Sequence, residues 1–314
     1  MEEGKETEKY SITTLPQEQL KQYKEMFLEE NVHIYCTIFQ EDIVLDMLGK
    51  HAAPENAQEK SLGDALSRMI DIFINLLRGI STRKPYKMKM VSTKYRFSTA
   101  QAQVQVSADL EALMGVLDVI DISQYPELFR QSASAAEVKV LCNNLQHITF
   151  PHISPDIDNC PEEKQKRNRE IIRIITYNFK EFEIETVASV YKQVLKSKNP
   201  LFPSQYIKQY MEIGKVASTE DKILLSKFLL LFTVSPAKRE LLEVTCSFLY
   251  SLITKKDSPL RFENISVVFT PIFFIDDKCC IVDANFKEVL EQLRDFLKFF
   301  LQNSPAIFLM EPEP

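Results

Sequence analysis

Apolar residues recur every three or four positions along most of this chain, the spacing of a helix with one buried face. Leu20, Tyr23, Met26 and Phe27 set the pattern after Pro16, and Val32 to Leu48 continues it. Over 61–80, Leu62, Ala65, Met69, Ile72, Phe73 and Leu76 share one face of an amphipathic helix opened by Ser61. Over 108–120, Leu110, Leu113, Met114 and Leu117 point inward behind Ser107, a residue type suited to capping. Further helices are predicted over 135–146 and from Pro161-Glu162-Glu163, where proline suits the first turn and acids face the positive end of the dipole. Others follow over 186–197, 221–234, 239–253 and 286–301, with a turn of helix at 263–269. In the last long one, Phe286, Val289, Leu290, Leu293, Phe296 and Leu297 share a face. No segment alternates with the period of two that marks a half-buried strand. Val267 to Ile275 is the stretch whose composition would best suit one. The pattern predicts an all-α protein.

Turn chemistry and charge divide the chain further. Residues 1–14 are polar and read as a disordered tail, and 15–82 as a helical N-terminal region. Residues 83–96 hold six basic residues and no acidic one, and read as a basic linker. A main domain spans 97–308, with a loop at 151–160 and a short tail at 309–314. The basic stretch would be drawn weakly to an anionic membrane surface; the competing reading is a solvated linker.

Composition narrows the chemistry. The 314 residues are 45% hydrophobic, enough for a sizeable core, and carry a net charge of −6, which argues against a nucleic-acid binder. No apolar run approaches the length of a bilayer, and the charged N-terminus lacks a secretory stretch, so the expected location is the cytosol, with peripheral membrane contact as the other expectation. The six cysteines form no Cys-x-x-Cys pair, and the four histidines stand at no zinc-ligand spacing from them. Cys142 and Cys246 fall on apolar helix faces, as buried free thiols do. The six glycines never cluster into a phosphate-cradling loop. No cofactor and no metal site are expected.

The candidate chemistry lies in basic residues drawn from distant parts of the chain. Arg130 follows Leu128 and Phe129 in a turn between two helices. Lys192 and Lys196 stand four apart on one helix face. Asn264 opens an apolar segment. An arginine fork suits a phosphate, because it cannot lose its proton and bonds two oxygens at once. An isolated Phe-Arg pair is ordinarily a solvated surface arginine, so the surrounding blocks decide. They read ELFRQSASAAEVKVL at 127–141, VASVYKQVLKSKNPLFP at 187–203, VSPAKRELLEVTCSFLYSLI at 234–253 and ENISVVFTPI at 263–272.

In this order, over roughly 97–308, the blocks resemble the Rho-family GTPase-activating (Rho GAP) domain. The resemblance implies an all-α Rho GAP-like domain with an α-helical N-terminal extension. It makes Arg130 an arginine finger, and gives Lys192, Lys196, Asn264 and Pro271 to GTPase binding. The implied partner is a Rho, Rac or Cdc42-like small GTPase, which brings its own GTP and magnesium. The implied function is stimulation of GTP hydrolysis in signalling. Departures are present: Ala133 for the glycine after the finger, Lys196 for the usual arginine, Lys238 for asparagine, Ile272 for the closing asparagine, and a turn at 198–201 shorter by one residue. They keep open a catalytically weak or inactive module that binds a GTPase or scaffold. A purely structural helical adaptor is the third alternative.

Overall fold

The computed structural model describes residues 10–35, 38, 89–98, 104–147, 161–198, 200–275 and 286–310. The expected helix over 61–80 and Cys36, Cys160, Cys279 and Cys280 lie outside the described residues. Helix α1 (Gln17–Tyr35) opens the chain. A two-stranded antiparallel ribbon follows, β1 (Met90–Ser92) and β2 (Gln105–Ser107), with Val91 opposite Val106. Then come α2 (Ala108–Val119), α3 (Ala135–His147), α4 (Pro161–Tyr177) and α5 (Ile184–Lys196). The second half holds α6 (Ile207–Lys215), α7 (Thr219–Phe232), α8 (Pro236–Thr254), α9 (Phe262–Phe274), α10 (Phe286–Gln302) and α11 (Ser304–Phe308). Among the described residues the protein is all-α apart from the short ribbon and one isolated bridge.

Several expectations need correction. The ribbon is a real departure from the strand-free reading, and its first strand lies inside the stretch read as a linker. Three residues per strand are too few to show a period, yet Val91 and Val106 are both buried. Ser107 holds the N-cap position of α2 but its side chain makes no capping bond. The ribbon supplies a partner instead: the Ala108 N–H donates to the Lys89 carbonyl at 2.8 Å. The β-prone stretch after Val267 is helix and runs through Pro271, which sits on the exposed side where a missing donor costs least. Helix α6 was not anticipated.

The polar start of the chain is not a tail from Tyr10 onward. Ser11 pairs with Leu309 across an isolated bridge, and Ile12 N–H donates to the Phe308 carbonyl at 3.0 Å. Glu243 of α8 is buried and accepts hydrogen bonds from the Ser11 hydroxyl at 2.9 Å, the Thr13 hydroxyl and the Phe97 N–H at 3.1 Å. Those polar side chains leave water because a carboxylate 232 positions away completes them. Helix α1 belongs to the same body, since Tyr35 is fully buried and its ring stacks on Phe228 of α7 at 4.1 Å.

Two aromatic clusters form the centre. In one, Phe202 stacks on Phe274 at 5.0 Å and meets Phe300 edge-on at 5.2 Å, tying the turn after α5 to α9 and α10. In the other, Tyr191 of α5 meets Phe248 of α8 at 5.3 Å, and Phe269 of α9 meets Phe129 at 5.3 Å. The second cluster is the floor of the candidate site.

Candidate functional site

The loop carrying Arg130 is built by local bonds above a buried anchor. Asp121 caps a short 3-10 turn, Ile122–Gln124, accepting from the Ser123 N–H at 3.2 Å and hydroxyl at 2.7 Å and from the Gln124 amide at 2.9 Å. Those donors hold the Asp121 carboxyl below its usual range. The chain then turns twice: Leu128 N–H donates to the Tyr125 carbonyl at 3.2 Å, and Arg130 N–H to the Glu127 carbonyl at 2.9 Å. Leu128 and Phe129 are buried at 1% and 2% exposure, while the Arg130 side chain is 71% exposed. Burying an aromatic ring contributes about 1.5–3 kcal/mol, so the residue before the arginine fixes where it stands. Among the described residues the Arg130 fork pairs with Glu127 of its own turn, at 3.4 Å, an exposed pair that holds it weakly.

Helix α5 runs along this loop, grips it twice and holds the first turn of α3 once. Lys192 Nζ donates to the Phe129 carbonyl at 2.5 Å. Ser189 Oγ accepts from the Ala133 N–H at 3.4 Å. The Thr186 hydroxyl donates to Glu137 Oε2, in the first turn of α3, at 3.0 Å. The three positions are spaced by three, hence along one face of α5. Burial lowers the Lys192 pKa from its ordinary value, as expected for an ammonium drawn beneath the loop. Thr186 and Ser189 were not singled out by the sequence reading. Their spacing before Lys192 was visible, but their partners were not.

Lys192 and Lys196 line one shallow open cleft with Ser189, Gln193, Ser197 and Ile272. Lys192 therefore joins the arginine loop to the cleft, and Lys196 lies exposed at the end of α5. Asn264 and Pro271 are exposed on α9, the helix that also supplies Phe269 beneath the loop and Ile272 to the cleft. Asn264, Val268 and Pro271 follow one face by spacing, and Asn264 does not line the cleft. Two departures noted in the sequence touch each other: Lys238 Nζ donates to the Pro200 carbonyl at 2.6 Å, so the altered third block braces the shortened turn after α5.

Among the described residues no group of three His, Cys, Asp or Glu side chains stands close enough to hold a metal. Cys246 is buried and free, and burial pushes its thiol far above the ordinary range; Cys142 is half-buried and free. His33 and His147 sit in the last turns of α1 and α3. No helix among the described residues is long and apolar enough to cross a membrane.

Fold and site together define a predominantly helical domain that offers Arg130 on a braced turn beside a lysine-lined cleft. The family model of the RhoGAP domain matches residues 113–278, more than half of the chain and a span that includes Arg130, Lys192, Lys196, Asn264 and Pro271. The protein belongs to the RhoGAP domain family, and its partner class is the Rho-type small GTPase. Among solved structures it is similar to the BH domain from GRAF, the GTPase regulator associated with focal adhesion kinase, with 16% identity over 64% of this chain and 93% of that one and a TM-score of 0.47. It is also similar to human Rho GTPase activating protein 15, with 15% identity over 64% of this chain and 82% of that one and a TM-score of 0.48. No curated protein sequence matches it.

Proposed function

We propose that the protein stimulates GTP hydrolysis by a Rho, Rac or Cdc42-like GTPase by inserting Arg130 into the partner's nucleotide site. The observation that carries this reading is the contrast along the loop: Phe129 is buried and its carbonyl is tied to Lys192, while the next side chain stands in solvent with only a weak ion pair to leave. Charge grows on the γ-phosphate and bridging oxygen as the bond breaks, and an arginine supplied in trans offsets it. In other GTPase pairs that is worth about 10³ to 10⁵ in rate, or roughly 4–7 kcal/mol of barrier. Lys192 holds the loop in register. Lys196, Asn264 and Pro271 meet the partner. GTP and magnesium come with the GTPase, and this chain supplies no cofactor.

A second reading is a module that binds a GTPase without accelerating it. Ala133 favours it, standing directly after the exposed Arg130–Ser132 segment where the family has glycine, as does the altered turn at 198–201. Single-turnover hydrolysis by a panel of GTP-loaded Rho, Rac and Cdc42-type proteins, with and without the full chain, decides between them. Acceleration of at least one partner supports the first reading. Saturable binding with unchanged hydrolysis throughout supports the second.

A further inference from the structure

We infer that Ser189 is a positioning residue for Arg130, fixing the exit of the arginine loop as Lys192 fixes its entry; this rests on the GTPase-activating reading above. The two bonds bracket the loop. Lys192 holds the Phe129 carbonyl on one side, and Ser189 Oγ takes the Ala133 N–H on the other, at 3.4 Å. Only Arg130, Gln131 and Ser132 lie between, and all three are exposed. Thr186 continues the strap to Glu137, so the chain is pinned again within the first turn of α3.

Without Ser189 the bracket would open. The Ala133 N–H has no acceptor in its own loop, because α3 begins at Ala135 and the turn bonds end at Gln131. Ser189 also borders the open cleft beside Lys192 and Lys196, so loop and cleft share this side chain as a common edge. Its role is geometric. A hydroxyl that holds a backbone amide restricts where the arginine can stand.

The test uses the full chain with the GTPase it accelerates most. Single-turnover rates are measured across a range of chain concentrations for wild type, Ser189→Ala and Ser189→Thr, together with hydrogen exchange of peptides covering Gln131–Ser134. Ser189→Ala is expected to lower the maximal rate about fivefold, equivalent to roughly 1 kcal/mol, a larger factor than any change in the half-saturating concentration. Exchange at Ala133 should quicken. Ser189→Thr keeps the hydroxyl and should restore both. An unchanged maximal rate for Ser189→Ala overturns the inference even if exchange quickens. So does a Thr variant as impaired as Ala, which would mark a packing role. If wild type accelerates no GTPase, the functional reading fails instead, and the exchange comparison still shows whether Ser189 anchors the loop.

Discussion

Replacing Glu243 with glutamine should remove a pH dependence of folding that this one carboxyl imposes. Glu243 is fully buried between the N-terminal segment, α8 and Phe97, and burial pushes its pKa from 4.5 up to about 7 against the opposing pull of its donors. A carboxyl with a higher pKa folded than unfolded binds more protons in the folded state. Its contribution therefore favours folding least at high pH: stability falls as pH rises from about 4.5 through about 7 and is flat above. Between pH 5 and pH 8 the shift amounts to roughly 2–3 kcal/mol. Glutamine keeps one acceptor, and the Ser11 and Thr13 hydroxyls can rotate to accept from its amide. Urea unfolding followed by far-ultraviolet circular dichroism gives the free energy for both proteins at each pH. The stability of wild type relative to Glu243→Gln should drop by about that amount from pH 5 to pH 8. A difference that stays flat across the range would mean Glu243 titrates as an exposed carboxyl, and the docking of residues 10–14 on α8 would be refuted.

Arg239→Met should stabilise the fold by about 1–4 kcal/mol, since Arg239 is 3% exposed and its Nε and Nη1 are buried with no acceptor among the described residues. The same change should raise the pKa of Lys24, which burial and then Arg239 hold down at about 8; denaturation and NMR titration check the pair, and a loss of stability would contradict it. Lys192→Met keeps the buried stem but leaves the Phe129 carbonyl without its donor. A charge-assisted bond of about 1.5–3 kcal/mol spent on loop geometry corresponds to a maximal hydrolysis rate lower by roughly 10- to 150-fold, and an unchanged rate would remove Lys192 from the loop's support.

The long helices are legible because each buries one stripe: the Leu293–Leu297 face of α10 and the Leu110–Leu117 face of α2 are visible in spacing alone. Helix α6 was harder to see. It is short and follows Pro203, although Tyr210 and Ile213 are fully buried. The N-terminal segment was misread because Ser11 and Thr13 look like solvent residues until Glu243 is placed beside them. At the site, Arg130 stood out through the blocks around it. What Lys192, Ser189 and Lys238 bond to could not be read, because each partner is a backbone group, which a pattern of side chains does not mark.

In the proposed function Arg130 acts on charge developing in the partner's transition state while the wider surface does the binding. Single-turnover GTP hydrolysis measured beside equilibrium binding, on the same GTPase with wild type and Arg130→Ala, tests it most directly. Arg130→Ala should bind the GTP-loaded partner nearly as well as wild type and lose most of the stimulation, by about 10³-fold or more, and Arg130→Lys should recover little of it. An Arg130→Ala protein that accelerates hydrolysis as fully as wild type would contradict the proposal.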